Sequence, residues 1–164
     1  MQSTRYPWDL RKLWQQCPSV GCLMDLCDEN YHHLLRLAPR LHKLDGCRLS
    51  RVGGDMDLYL EVLEQTPYTS LVHLTYYFEH HAGQRPDPDA TLRVYHDCRQ
   101  VEVVDLQQRI LPPADRRTPA DLAWKWRLNL FLSKWLSYCV REGHRFPLDA
   151  PAADGPVAAS LEAC

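Results

Sequence analysis

A chain of 164 residues is long enough for one domain with short tails, because domains commonly contain about 100–200 residues. Its 19 lysines and arginines and 21 aspartates and glutamates give a net charge of -2, which argues against a double-stranded DNA-binding protein. The 7 cysteines form no regular framework, no signal peptide is recognisable, and no apolar run approaches the ~20 residues that span a bilayer. We therefore expect a cytoplasmic protein with reduced thiols and no membrane segment.

The first strong pattern along the chain is that of a helix. Residues 1–18 are expected to form an N-terminal extension that ends at a proline. From about Gly21 to Leu37, apolar residues recur every three or four positions, the spacing of one face of an amphipathic helix. Pro39 disfavours helical geometry at the residue before it, so the helix is predicted to end there.

The pattern then changes to the alternation that is typical of β-strands. Between Met56 and Val62, apolar residues alternate with polar ones, and Gly53 and Gly54 before them favour a hairpin turn. Five short segments follow one another with connections too short for crossover helices, so we expect an antiparallel sheet. The expected bounds are Cys47–Val52, Met56–Val62, Leu71–Phe78, Thr91–Asp97 and Val101–Leu106, with a loop at His80–Ala90 that contains Gly83, Pro86 and Pro88.

A long helix closes the predicted domain. Thr118 suits the N-cap and Pro119 the first helical position, while Gly143 is typical of a helix C-terminus. Residues 147–164, rich in Ala, Pro, Asp and Gly, are expected to form a disordered tail. The sequence therefore predicts a single α+β domain at 19–146. In it, an antiparallel sheet of about five strands is flanked by an N-terminal and a long C-terminal amphipathic helix.

Four parts of the sequence, taken in order and with their spacing, resemble a known family. They are Leu23–Tyr31 with Arg36–Pro39, Tyr68–Val72, Leu92–Asp97 with Val101–Val103, and Leu128–Leu132 with Trp135, Leu136, Cys139 and Gly143. This set is similar to the YqiB-like proteins, a proteobacterial family with a domain of unknown function, over about residues 20–146. The resemblance implies a small cytosolic α+β protein without an assigned reaction. Members are often encoded near an ADP-ribose pyrophosphatase, which implies a link to nucleotide metabolism.

The segment Tyr95-His96-Asp97, at the end of a predicted strand, is the sharpest candidate for chemistry. A carboxylate can fix the tautomer of a nearby histidine and raise its basicity, so His96 and Asp97 are the candidate catalytic residues, with Glu102 or Asp105 in support. Successive strand residues point to opposite faces, however, and an aspartate also suits a β-turn at this position. A buried, hydrogen-bonded histidine and a turn-capping aspartate are the structural alternative.

Two asparagines lie within or beside the apolar faces of the predicted helices. Buried amides need hydrogen-bond partners, so Asn30 and Asn129 either bond strand ends and orient the helices or line a ligand pocket. In the second case the pocket would also contain Tyr31 and His96. Tyr95 completes the set of candidate ligand-binding residues.

No metal site and no cofactor are predicted. Cys17, Cys22, Cys27 and His32 lie five residues apart, and five helical residues advance by about 140°, so these side chains do not share a face. Structural zinc sites usually have cysteine pairs about two to four residues apart. The adjacent histidines at 32–33 and 80–81 are expected at the surface.

Signatures of phosphate loops, dinucleotide loops and serine nucleophile elbows are absent from the sequence. The favoured hypothesis is a non-enzymatic binding or regulatory module for a protein or a small nucleotide-like ligand. Its surface would be a sheet face carrying His73, Thr75 and Tyr77, or a groove beside the C-terminal helix. The alternative is a hydrolase or transferase acting on a small phosphorylated or nucleotide ligand through His96 and Asp97.

A basic run between the first helix and the sheet raises a third hypothesis, single-stranded RNA binding, with Tyr59 or Tyr77 stacking on bases. An ordinary solvated surface is the alternative explanation of this run. Its members are Arg36, Arg40, His42, Lys43, Arg48 and Arg51.

Overall fold

A computed structural model describes residues 19–80, 83–107 and 122–153, without the side chains of residues 78–85. In this part of the chain, two helices pack on one face of a five-stranded antiparallel sheet, so the predicted α+β fold is confirmed. The elements are α1 (Val20–Leu37), a 3₁₀ turn (Leu41–Lys43), β1 (Cys47–Ser50), β2 (Leu58–Gln65), β3 (Thr69–His80), β4 (Gly83–Tyr95), β5 (Gln100–Gln107) and α2 (Leu122–Glu142).

Several expected features lie outside the described residues. They are the N-terminal extension 1–18, the helix start at 118–119 and positions 154–164 of the expected tail. The domain bounds 19–146 therefore stay a prediction. Among the helices that the structure describes, none is long and apolar enough to cross a membrane.

The helix α1 begins one residue before its predicted start because Ser19 caps it. The Ser19 hydroxyl oxygen accepts a hydrogen bond from the N–H of Cys22 at 3.1 Å. Along the helix, Leu34 and Leu37 are fully buried on the core face. Each fully buried leucine contributes about 1.5–3 kcal/mol to stability through the hydrophobic effect. The helix ends just before Pro39, as predicted.

The sheet is a meander in the order β1-β2-β3-β4-β5. Because side chains alternate along a strand, each strand turns one row towards the helices and the other row away from them. In the row towards the helices, Leu60, Leu74 and Ala90 are register partners across β2, β3 and β4, and all are fully buried. These rows pack with α1 and α2 into one hydrophobic core. The sheet residues that point away are therefore the ones left for contacts outside this core.

The expected loop at His80–Ala90 is wrong, because β4 already begins at Gly83 and pairs with β3 along its length. Proline has no N–H to donate, so in a sheet it occupies positions without a strand partner on one side. In the described residues, β5 pairs with β4 only from Asp89 onwards, which leaves Pro86 and Pro88 in such positions. The prolines therefore do not interrupt β4.

The helix α2 ends at the glycine that the sequence predicts. Gly143 has a positive φ of 95°, which the absence of a Cβ atom permits. The N–H of Gly143 donates to the carbonyl of Val140 at 3.2 Å, and that of His144 donates to the carbonyl of Cys139 at 3.0 Å. These bonds satisfy carbonyl groups at the helix end and turn the chain back towards the sheet.

Residues 151–153, which fall within the expected tail, pair with the outer edge of β1. The N–H of Leu49 donates to the carbonyl of Pro151, and the N–H of Ala153 donates to the carbonyl of Cys47, each at 3.0 Å. Backbone pairing of this kind requires no particular side chain, so composition could not reveal it. The segment covers an otherwise unpaired strand edge.

Candidate functional site

Three ring side chains meet at one end of the sheet, at a place that we call the His96 corner. It consists of Tyr31 from α1, His42 from the 3₁₀ turn and His96 just after β4. The ring centroid of His96 lies 6.2 Å from that of Tyr31 and 6.5 Å from that of His42. Tyr31 is buried and His42 is exposed, so the corner extends from the core to the surface. Of the candidate ligand-binding residues, Tyr31 is the one whose ring lies beside His96.

A chain of hydrogen bonds fixes the tautomer of His96. The side-chain amide of Gln65 donates to the carbonyls of Leu41 at 2.9 Å and Leu44 at 3.4 Å, so its Oε1 accepts the hydroxyl proton of Ser70. The Ser70 oxygen must then accept from Nε2 of His96, which lies 2.7 Å away. His96 therefore carries its proton on Nε2 and has an unprotonated Nδ1.

The surroundings of His96 also favour the neutral form of its ring. Burial lowers the pKa of His96 and the nearby charge of His42 lowers it further, whereas Asp97 raises it by a smaller amount. A neutral imidazole with a fixed tautomer can accept a proton, a hydrogen bond or a metal ion at its free nitrogen. In the described residues, Nδ1 of His96 has no hydrogen-bond partner.

The side chains of Asp97 and Tyr95 make their contacts away from this corner. Oδ1 of Asp97 accepts a hydrogen bond from the N–H of Cys98 at 2.9 Å, the usual role of aspartate at the start of a turn. The hydroxyl of Tyr95 donates to Glu102 at 2.9 Å on the opposite side of the sheet. The three neighbouring residues of the motif thus have separate partners, and His96 is oriented by Ser70 instead of by a carboxylate.

Asn30 and Asn129 connect the two helices with β5. Nδ2 of Asn30 donates to the main-chain carbonyl of Asn129 at 3.1 Å. Oδ1 of Asn129 accepts from the N–H of Val103 at 3.2 Å, and its Nδ2 donates to the carbonyl of Lys125 at 2.8 Å. Both asparagines are buried, and these bonds pair both amide nitrogens and the side-chain oxygen of Asn129, while Oδ1 of Asn30 has no partner among the described residues. The contacts hold the helices at the edge of β5.

The sheet face that points away from the helices, which we call the open face, carries aromatic and charged side chains. Its tyrosines and carboxylates, placed by alternation and register, are Tyr59, Tyr77, Tyr95, Glu61, Glu64, Asp89, Glu102 and Asp105. The cationic groups among its described strand residues are His73 and Arg93, and Arg51, which is paired with Asp57, lies close enough to interact with Tyr59. Thr75 of the same row is buried and donates its hydroxyl to the carbonyl of Pro88 at 2.8 Å. The open face is therefore predominantly acidic.

His73 is held between two carboxylates in the middle of the open face. Its Nε2 is hydrogen-bonded to Asp89, and its Nδ1 lies 3.8 Å from the carboxylate of Glu61. The hydrogen bond to Asp89 raises the pKa of His73, and burial opposes this rise. The rings of Tyr59 and Tyr77 meet edge to face, with centroids 4.9 Å apart. Burial, assisted by nearby carboxylates, raises the pKa of Tyr77 to about 12.

The basic run divides into ion-paired and exposed members. Arg48 pairs with Asp45, and Arg51 forms a bidentate pair with Asp57. The exposed members near the end of α1 are Arg36, Arg40, His42 and Lys43. The two tyrosines expected to stack on RNA bases lie on the open face among carboxylates, and Arg51, the member of the run that interacts with Tyr59, is already paired with Asp57.

A serine, a histidine and an aspartate form an array that the sequence analysis missed. Oγ of Ser50 lies 3.0 Å from Nδ1 of His144, whose Nε2 lies 3.2 Å from a carboxylate oxygen of Asp55. The serine oxygen also accepts the N–H of Arg145 at 3.0 Å. His144 is 0% and Ser50 5% exposed, so the array fastens the end of α2 to β1 and does not present a nucleophile. Its members are distant in sequence, and no local motif could have revealed it.

The described residues contain no group of three or more His, Cys, Asp or Glu side chains able to hold a metal ion. Cys17, the first of the evenly spaced series, lies outside the described residues. Cys22 is exposed and Cys27 is buried, and burial raises the pKa of the Cys27 thiol to about 11. Nδ1 of His32 is hydrogen-bonded to the carbonyl of Asp28 at 2.8 Å. The second histidine pair lies outside the described side chains.

Relatives of this chain occur in several strains of Escherichia coli. Uncharacterized protein YqiB of strain K12 is 32% identical over 135 residues, which cover 77% of this chain and 91% of the relative. The YqiB proteins of strains O6:H1 and O157:H7 match to the same extent. No solved structure matches the chain. The family model of DUF1249, described as a protein of unknown function, matches residues 33–145. The expected YqiB-like resemblance is therefore confirmed, and the chain belongs to the DUF1249 family.

Proposed function

We propose that this protein is a non-enzymatic binding module whose open face recognises a basic surface of another protein. The observation that carries the proposal is the composition of that face, where carboxylates outnumber cationic groups and surround tyrosine rings. Complementary charge on two partners accelerates their encounter and excludes partners of the wrong sign. A protein surface rich in arginine and lysine has the required complementarity.

The sign of the charge distinguishes the two ligand classes that the sequence analysis leaves open. A nucleotide-like ligand carries phosphate groups, which Glu61 and Asp89 would repel. His73 offers a positive charge when protonated, but that charge is already paired with Asp89. A basic protein gains attraction to the carboxylates, and its arginines can stack on tyrosine rings. We therefore place a protein partner ahead of a nucleotide-like ligand.

The tyrosine pair gives the open face side chains that can anchor a partner. Tyrosine is enriched among the interface residues whose truncation costs about 2 kcal/mol or more. Tyr59 and Tyr77 already restrain each other through ring contact. Binding of a partner over these rings therefore costs little additional side-chain conformational entropy. Truncation of either ring should weaken binding strongly.

Affinity capture from an extract of the source cells, with the tagged full-length protein as bait, tests this proposal. We expect a stoichiometric basic protein whose direct binding, measured with the purified pair, weakens at least tenfold in Glu61→Lys and decreases with added salt. Asp25→Lys is the matched control, because Asp25 is an exposed carboxylate on α1 and not on the open face. This control should bind as the wild type does.

The proposal fails if no stoichiometric partner is captured, if the partner is acidic, or if Glu61→Lys binds as tightly as Asp25→Lys. Thermal unfolding of both variants shows whether each keeps the fold. If Glu61→Lys unfolds, Tyr59→Ala provides the same comparison without a reversed charge.

The free nitrogen of His96 favours one second candidate, a hydrolase or transferase acting on a small phosphorylated or nucleotide ligand. A positioned imidazole with a fixed tautomer can serve as a general base. Any activity found in a broad phosphoester screen should then be lost in His96→Ala and kept in Asp97→Asn, because Asp97 caps a turn. Full activity of a folded His96→Ala protein would exclude this candidate.

A further inference from the structure

We propose that the His96 corner binds one divalent transition-metal ion through the imidazoles of His96 and His42. Imidazole nitrogen suits zinc, nickel and copper ions, so an ion of this class is the expected ligand. The corner belongs to the helical side of the molecule, away from the open face. The proposal therefore goes beyond the binding function proposed above and does not depend on it.

The hydrogen-bond chain behind His96 is the first argument. A metal-binding histidine almost always donates its second ring N–H to a protein or water acceptor, which fixes its tautomer and its orientation. Here Nε2 of His96 donates to Ser70, Ser70 donates to Gln65, and the amide of Gln65 is anchored on main-chain carbonyls. Nδ1 of His96 is therefore a positioned lone pair without a partner in the described residues.

The position of His42 supplies the second ligand. Metal–nitrogen distances of about 2.0–2.1 Å bring two imidazole centroids to roughly 5 Å when both bind one ion tetrahedrally. The centroids of His42 and His96 are 6.5 Å apart, and His42 is exposed on a short 3₁₀ turn. Because His42 is exposed, we expect rotation of its side chain to bring the two rings to this distance.

The composition of the corner predicts an open site instead of a structural one. Among the described residues, no third His, Cys, Asp or Glu completes a ligand set with these two histidines. Water would fill the remaining positions, as in sites where a metal binds exchangeable ligands. We accordingly expect an affinity well below that of a structural zinc site with four protein ligands.

Titration of the full-length protein with Zn²⁺, followed by ¹⁵N NMR of the imidazole rings, tests the proposal. Without metal, His96 should show the Nε2–H tautomer. Zinc should then shift Nδ1 of His96 and one ring nitrogen of His42. A parallel titration with Co²⁺ separates imidazole from thiolate ligation through the absorption spectrum, which matters because Cys22 and Cys98 are exposed thiols.

Substitutions assign the ligands and the hydrogen-bond chain. His96→Ala and His42→Ala should each weaken zinc binding at least tenfold. Ser70→Ala, which keeps both imidazoles but removes the hydrogen bonds of Ser70 to His96 and Gln65, should weaken it about 10–100-fold. His32→Ala is the control, since this exposed histidine of α1 should leave the affinity unchanged.

Three results would overturn the proposal: an Nδ1–H tautomer in the free protein, zinc shifts confined to other histidines, or equal affinity in His42→Ala and His32→Ala. His42 is exposed, so its substitution tests the site even if His96→Ala does not fold.

Discussion

At the scale of single residues, the buried His144 should contribute strongly to stability, because its hydrogen bond to Ser50 connects the end of α2 with β1. His144→Ala removes the hydrogen bonds that His144 makes with Ser50 and Asp55, so the buried hydroxyl of Ser50 keeps only the contact with the N–H of Arg145. An unpaired buried polar group costs about 1–3 kcal/mol, so the free energy of unfolding should fall by at least about 2 kcal/mol. Urea denaturation followed by circular dichroism measures this change. His32→Ala, exposed on α1, should change stability by less than about 0.5 kcal/mol.

Two partly buried histidines should titrate in opposite directions. The hydrogen bond with Asp89 raises the pKa of His73, whereas burial and His42 lower that of His96. NMR titration of the ring protons should place the midpoint of His73 above the ordinary value of about 6.5 and that of His96 below it. Equal midpoints would contradict the contacts described for both rings.

The same shifts determine how each histidine changes stability with pH. A raised pKa means that the folded protein binds the proton more tightly, so the contribution of His73 is complete below its unfolded pKa and is lost as pH rises through its folded pKa. The lowered pKa of His96 has the opposite effect, and its contribution is lost as pH falls. The difference in unfolding free energy between wild type and His73→Gln should therefore be larger near pH 6 than near pH 9. For His96→Gln the difference should be smaller at low pH.

At the scale of elements, the pairing of residues 151–153 with β1 extends the sheet by a very short strand. Ala153→Pro removes the N–H that donates to the carbonyl of Cys47, so this pairing should loosen. The amide of Leu49, which donates to Pro151, should then exchange with deuterium at least tenfold faster. Ala152→Ser keeps every backbone donor and is the control. Unchanged exchange at Leu49 in Ala153→Pro would show that the contact contributes no protection.

The accuracy of the sequence-based predictions also varies by element. Local patterns predicted α1, the alternating rows of the strands and the end of α2 at Gly143, because periodicity and glycine chemistry act within a few residues. The length of β4 could not be predicted, since Pro86 and Pro88 usually indicate a loop, whereas in the described residues both lie in a strand that pairs with β3. The pairing of residues 151–153 with β1 uses backbone groups, and the guanidinium of Arg48 adds one hydrogen bond to the carbonyl of Ala150 at 3.1 Å.

At the scale of the whole molecule, the contacts that define the candidate sites join residues from separate elements. The relay from Gln65 through Ser70 to His96 and the array around His144 form only when distant segments meet, so one sequence without its fold does not reveal them. The turn contact of Asp97 is local, and the sequence analysis therefore included it as an alternative. Successive side chains of a strand point to opposite faces. This explains why Tyr95, His96 and Asp97 are adjacent in the sequence but have separate hydrogen-bond partners.

The cover on the two sheet edges also has a consequence for genetics. Residues 151–153 pair with β1 at one edge of the sheet. At the other edge, α1 packs beside β5, and Oδ1 of Asn129 accepts a hydrogen bond from the N–H of Val103. A partner strand therefore has little opportunity to join β1 or the segment of β5 at Val103, and we expect recognition by the sheet to use its face. Alleles that abolish an interaction without lowering protein abundance should then recur at every second codon of β2 and β3. The codons between them should yield alleles that deplete the protein.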